Sequence, residues 1–292
     1  MASYIKETET EIVLTHPRDS STSVRILKYG ATILSWKVKG QEQLWLSEKA
    51  ILDGSKAVRG GIPLVFPVFG KSEGHETSQL PQHGFARNSV WEFLGQVESD
   101  PLTVQFGLGP ENISETARCQ WPHDFTLIFT VSLPSEDSLS TSLEVENTDK
   151  QPWEFNVLFH TYFRIPDITQ THVEGLTGTQ VTDKVSKTNY AGNEAKITIA
   201  GEVDRVYSSP STPDSVAIVS GSKTLFNVQN LQNLKDVVVW NPWTEKANGL
   251  ADFSPKDGFK NMICVETGSV SKYQTVAPGA KWSASQTLKS HL

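Results

Sequence analysis

The chain has 292 residues, 37% of them hydrophobic and 20% charged, which is enough for a sizeable buried core. Its net charge of −7 and isoelectric point near 5.5 argue against non-specific nucleic-acid binding, and no basic run with interleaved aromatics appears. The two cysteines, Cys119 and Cys264, lack metal spacing, are too few for a disulfide scaffold, and fit a reducing compartment.

The opening stretch "MASYIKETETEIVLTH" has no basic-then-apolar signal pattern, and no apolar run approaches a membrane span, so neither export nor membrane insertion is expected. "SVRILKYGATILSWKV" (23–38) reads as two strands joined around Tyr29-Gly30, and "EQLWLS" (42–47) as a third. "RGGIPLVFPVFG" (59–70) breaks this pattern. Pro63 and Pro67 would each remove a ladder donor, so an apolar loop packed on the sheets is expected there. Gly60 and Gly61 would let backbone approach a ligand closely, or serve as ordinary turn makers. "QLPQHGFARNS" then gathers Gln82, His83 and Arg87 around Gly84. Between Lys56 and Arg87 the balance is four basic residues to two acidic ones, against the trend of the chain. Arginines beside glycines suit bidentate recognition of a phosphate or carboxylate; plain surface arginines read the same way.

Further strands follow as "LTVQFGL" (102–108), "FTLIFTVSL" (125–133) and "LSTSLEVEN" (139–147), the last two with period two: Phe125, Leu127, Phe129, Val131 and Leu133 share one face, as do Leu139, Thr141, Leu143 and Val145. The Asn-x-Ser sequon at Asn112 carries little without an export signal. "VLFHTYFRI" (157–165) alternates too. Val157, Phe159, Thr161, Phe163 and Ile165 share one face; Asn156, Leu158, His160, Tyr162 and Arg164 share the other. That second face is too aromatic for plain surface and too polar for an ordinary core, as the wall of a small-molecule cleft would be; a surface histidine is the simpler alternative. "AKITIA" (195–200), "SVAIVS" (215–220), "KDVVVW" (235–240) and "MICVE" (262–266) complete the set. In the last, Met262, Cys264 and Glu266 share a face, and Thr267-Gly268 signals a turn, which puts Glu266 at a strand end. Pro101, Pro134, Gly175, Gly178, Pro210, Pro213 and Gly221 punctuate the strands. Many strands at short intervals with no long helical pattern point to antiparallel sheets packed as a sandwich. No linker or repeat divides residues 1–292, so one domain is expected.

Several chemistries are excluded: there is no Gly-x-Ser-x-Gly elbow, no phosphate loop, and no His-Glu-x-x-His zinc helix. His83, His123 and His160 are too scattered to read as metal-ligand spacing.

"RGGIPLVFPVFG", "QHGFAR", "LFHTYFRI", "DVVVWNPW" and "MICVETG", in this order, resemble the aldose 1-epimerase (galactose mutarotase-like) family over nearly the whole chain, and within it the hexose-6-phosphate mutarotase branch. The resemblance implies a large antiparallel β-sandwich that interconverts the α and β anomers of a hexose 6-phosphate without cofactor or metal. It implies His160 as the acid that protonates the ring oxygen and Glu266 as the base that takes the C1 hydroxyl proton. It further implies His83 near the ring oxygen, Gln82 and Asp204 on sugar hydroxyls, and Arg59 and Arg87 on the 6-phosphate. Histidine, with an ordinary pKa of ~6.5, suits proton exchange at neutral pH, whereas a glutamate at ~4.3 needs burial to become a useful base. A glycosidase would want two flanking carboxylates, and no such pair stands beside His160. Ser269 receives no role, and Trp240 reads as cleft lining or core. Two alternatives stay open: a mutarotase for unphosphorylated aldoses, and a catalytically silent sugar-binding module. A monomer in the cytoplasm is expected, with the peroxisome as the second compartment because the C-terminal Ser290-His291-Leu292 resembles a targeting tripeptide.

Overall fold

The computed structural model describes residues 4–209 and 213–292, so Pro210 lies outside it. Alternation becomes burial. Along Phe125–Ser135 and Ser138–Asn147 the apolar parity is buried and the polar parity half-exposed, as a strand with one face on a core requires. On the outer face Lys281 lies 2.7 Å from Glu144 and 3.4 Å from Glu146.

The strands form three antiparallel sheets. A five-stranded sheet runs in chain order through Ile5–Glu7, Glu11–His16, Asp19–Leu27, Thr32–Val38 and Gln41–Glu42. A nine-stranded sheet runs from the edge Ile197–Thr198 through Lys281–Ser290, Ser138–Asn147 and Phe125–Ser135 to Glu92–Ser99. The third sheet orders Thr188–Gly192, Thr179–Asp183, Val203–Ser208, Asp236–Asn241, Met262–Val276, Trp153–Phe159 and Leu64–Val65, with Tyr162–Arg164 also paired to Met262–Val276. One parity of this third sheet (Val157, Phe159, Val237, Val239, Ile263, Val265) joins Phe129, Val131 and Leu143 of the nine-stranded sheet in the main core. The opposite parity (Leu158, Tyr162, Val206, Val238, Trp240, Cys264) forms a second cluster with Trp45, Phe253 and Phe259. Both faces of this sheet are therefore occupied, and the site lies on the second.

Several local expectations change. "EQLWLS" is a strand only at Gln41–Glu42, after which Leu44 and Leu46 bridge singly to Phe163 and Gly60. "AKITIA" shortens to Ile197–Thr198. Pro134 lies within Phe125–Ser135 instead of starting a turn. Gly60 and Gly61 serve the fold: a Cβ would sit 2.6 Å from Leu46 Cα at the first and 2.1 Å from the Ile33 carbonyl oxygen at the second. The loop they open is anchored by Phe66, whose ring packs within 5.5–6.3 Å of Phe85, Trp121, Phe125, Trp153 and Phe155.

No helix among the described residues is long and apolar enough to cross a membrane, which leaves β-barrels unaddressed. The C-terminal tripeptide is tied to the sheet. Ser290 is buried and its hydroxyl donates to Gln43 Oε1 (2.8 Å), while the His291 N–H donates to the Leu225 carbonyl (2.9 Å).

Candidate active site

The site is built from two ladder rows. Phe159 pairs with Thr267 and Tyr162 with Cys264, so the register between these strands sets His160 directly opposite Glu266, although the strand is interrupted at His160-Thr161. Directly opposed residues on one face bring their Cβ atoms to about 5 Å. Continuing across the sheet, Glu266 pairs with Val238 and Val238 with Val206; in the neighbouring row Cys264 pairs with Trp240 and Trp240 with Asp204. Lys184, whose N–H donates to the Asp204 carbonyl (2.8 Å), extends that second row.

His160 is held by its own N–H, which donates to the Pro63 carbonyl (3.0 Å), and by stacking of its ring on Tyr162 at 4.7 Å and 9°. Trp240 and His83 meet the ring edge-on at 6.1 and 5.9 Å. His160 Nδ1 lies 3.3 Å from Glu266 Oε1 without the alignment of a hydrogen bond, and both His160 Nδ1 and Glu266 Oε2 are buried without a hydrogen-bond partner. Burial, reinforced by Arg87 and Arg59, holds the imidazole well below its usual range. Burial, with Asp204 adding to it, pushes the Glu266 carboxyl well above its usual range, against the pull of Lys184 and Arg87. Both shifts act in the same sense, towards a neutral imidazole and a protonated carboxyl.

Glu266 is not at a strand end. The strand Met262–Val276 continues through Thr267-Gly268, and Glu266 is only 1% exposed. Gly268 answers a close approach, since a Cβ there would stand 2.7 Å from the Val157 carbonyl oxygen and 2.9 Å from Leu158 Cβ.

The cavity above these rows has a volume of about 210 Å³, and Arg59, Gln82, His83, Asp204, Lys184 and Lys246 are among the groups that line it with the pair. His83 and Gly84 both take positive φ (68° and 71°), turning the chain back so that Gly84 packs on the Phe66 carbonyl. The Gly70 N–H donates to His83 Nδ1 (3.1 Å), which leaves Nε2 of the neutral ring as a donor. Burial, with Arg87 adding to it, holds this ring neutral as well. Asp204 is raised by burial against the pull of Lys184, whose ammonium lies 3.9 Å away and 3.8 Å above the Phe69 ring.

The two arginines differ. Arg59 donates from Nη1 to the Tyr162 hydroxyl (3.4 Å) and from Nε to Asp252 Oδ1 (3.4 Å), and these partners outweigh burial and raise it. Arg87 donates from Nη2 to the Gln82 carbonyl (2.9 Å), but its Nε is buried and unpartnered, and among the described residues no carboxylate lies within 4.0 Å of it. Burial lowers it to about 10. A half-buried cation with no carboxylate against it leaves an anion site ready-made.

All seven residues expected from the sequence thus converge on this one region, six lining the cavity with His160 and Glu266 included and Arg87 packed beside it. Tyr162, Cys264, Lys184, Lys246 and Asp252 received no role. Alternation had placed Tyr162 with His160 and Cys264 with Glu266, a signal that was available; nothing local marks the others. Trp240 both lines the cavity and packs in the second cluster. No metal was expected from spacing, yet His160, Cys264 and Glu266 bring a nitrogen, a sulfur and an oxygen within 4.8 Å of one another.

Known proteins resemble the chain along nearly its whole length. Residues 11–289 match the family model described as aldose 1-epimerase. A protein of Cenchrus ciliaris, provisionally named glucose-6-phosphate 1-epimerase, is 36% identical over 93% of this chain and 82% of its own length. A relative of the same provisional name from Escherichia coli is 35% identical over 91% of this chain and 85% of its own. A crystal structure from Salmonella typhimurium, provisionally described as a mutarotase, superposes with a TM-score of 0.82 at 29% identity, covering 98% of this chain and 93% of that one. The fold is the mutarotase-type antiparallel sandwich, and the chain belongs to the aldose 1-epimerase family.

Proposed function

We propose that the protein is a hexose-6-phosphate mutarotase, with His160 as acid and Glu266 as base. The observation that carries the chemistry is the facing pair, 3.3 Å apart on the cavity floor. In the pyranose complex Glu266 takes the C1 hydroxyl proton while His160 protonates the ring oxygen; the C1–C2 bond rotates in the open aldehyde, and closure on the other face returns both protons. Moving the shared proton from Glu266 to His160 creates the charge state that ring opening needs. Burial, with Arg87 and Arg59 adding to it, disfavours the charged imidazole, and the phosphate dianion favours the transfer by offsetting the two arginines. Each such proton transfer is worth roughly 10²–10⁴-fold.

The phosphate assignment rests on Arg87, a half-buried cation whose Nε is unpartnered and which has no carboxylate partner, with Arg59 and Lys184 at the same cavity. The names of the relatives support the same substrate class. Gln82, His83 Nε2 and Asp204 are assigned to the sugar hydroxyls and ring oxygen. The chain acts as one domain, a monomer in the cytoplasm, which sedimentation and fractionation would check.

Anomeric exchange followed by magnetisation-transfer NMR, on glucose 6-phosphate and glucose in parallel, tests the reading. Acceleration confined to the phosphorylated sugar supports it. Equal acceleration of both would make this a general aldose epimerase, and binding without acceleration would make it a silent sugar-binding module.

A further inference from the structure

Cys264 stands beside the proton-transfer pair and has no part in the reaction proposed above. It lies two residues from Glu266 on the same face of one strand, and His160 is directly across from Glu266. Their ligand atoms lie within 4.8 Å of one another. An independent observation points to a ligand here: His160 Nδ1 and Glu266 Oε2 are both buried and unpartnered, a state that a coordinated ion relieves.

One nitrogen, one sulfur and one oxygen make a donor set that tetrahedral Zn²⁺ accepts, with bonds of about 2.0–2.3 Å. Ligand atoms around such an ion stand roughly 3.5 Å apart, so the cluster closes by about 1 Å through side-chain rotation. Charge then selects the ion. Arg59 and Lys184 line the same cavity, Arg87 packs beside it, and all three repel cations. Mg²⁺, which wants several oxygens and would gain one carboxylate, has nothing to offset that repulsion. Zn²⁺ offsets it with bonds to thiolate and imidazole.

We infer that His160, Cys264 and Glu266 form a Zn²⁺ site with its fourth position open to the sugar cavity, and that Zn²⁺ bound there shuts the enzyme off by occupying both proton-transfer groups. Coordination exchanges the thiol and carboxyl protons for the metal; the protons leave to solvent and no electron moves.

Binding is read first, without sugar, using Co²⁺ as the spectroscopic substitute on a Cys119→Ser background that removes the exposed second thiol. A thiolate-to-Co²⁺ charge-transfer band in the near ultraviolet, displaced by Zn²⁺ and missing in Cys264→Ser, is expected. No band overturns the inference, whatever the turnover. Inhibition is read in parallel. Zn²⁺ slows anomeric exchange in competition with glucose 6-phosphate, EDTA restores it, and Mg²⁺ has no effect. In Cys264→Ser and Cys264→Ala the Zn²⁺ needed rises roughly 10–100-fold, while exchange without metal stays at the wild-type rate. Equal inhibition of wild type and both variants would place the zinc elsewhere and overturn the inference. The Co²⁺ measurement needs no turnover, so failure of the sugar assignment is distinguishable from failure of the metal site.

Discussion

Gly268→Ala is a stringent perturbation of this site because it touches neither proposed catalytic group. The added Cβ would lie 2.7 Å from the Val157 carbonyl oxygen, where a carbon–oxygen contact ordinarily needs roughly 3.3–3.6 Å. The strands Trp153–Phe159 and Met262–Val276 must then part by at least about 0.6 Å, and a backbone carbonyl cannot rotate away. Overpacking of this kind costs about 1–3 kcal/mol, and this case belongs at the upper end. The stiffer unfolded chain returns about 0.4–1 kcal/mol, leaving a net loss of about 2 kcal/mol and a Tm lower by roughly 4 °C. These strands carry Glu266 and lead into His160, so the pair is misplaced as well. A 1 Å error at reacting groups costs about 10²-fold, so exchange should fall roughly ten- to a hundredfold. Thermal melting and magnetisation-transfer NMR on the same sample measure both effects. A variant with the wild-type Tm and exchange rate would refute the claim that this glycine sets the separation of acid and base.

Arg87→Ala should weaken glucose 6-phosphate at least about tenfold and leave glucose almost untouched, at little cost to Tm; equal losses on both sugars would remove the phosphate assignment. Arg59→Ala should add a stability loss of about 1–3 kcal/mol, because it leaves the buried Asp252 carboxylate with Lys56 as its remaining cationic partner. Burial works to raise Asp252, but Arg59 and Lys56 outweigh it and hold it below the ordinary carboxylate range. Its contribution is thus present above about pH 4 and lost as pH falls through the lowered value, so acid melting should lose part of its pH dependence in Arg59→Ala. Lys184→Met should lower kcat/KM for glucose 6-phosphate about tenfold with Tm within about 1 °C of wild type; unchanged kinetics would confine Lys184 to packing over Phe69.

Much of the site was legible because parity on a strand is inherited by the fold. The alternation that put His160 with Tyr162, and Cys264 with Glu266, survives as the two rows beneath the cavity even though the strand is interrupted at His160-Thr161. The convergence of Arg59, Gln82, His83 and Asp204 with them was implied by family resemblance and had no local derivation. Thr267-Gly268 misled for a physical reason: a glycine required by a tertiary close approach has the same local appearance as one that makes a turn. Asp252 left no trace either, since its partner Arg59 is 193 residues away.

The division of labour between strand and loop has a consequence for descent. His160 and Glu266 are opposed by the register of two neighbouring strands, whereas Arg59, Gln82, His83 and Arg87 sit on connecting segments anchored through Phe66 and Phe85. Side chains on those segments can change while the backbone that seats His160, including its bond to the Pro63 carbonyl, stays in place. A lineage built this way can trade one sugar for another while keeping its reaction, and the fold becomes a chassis on which specificity is the replaceable part.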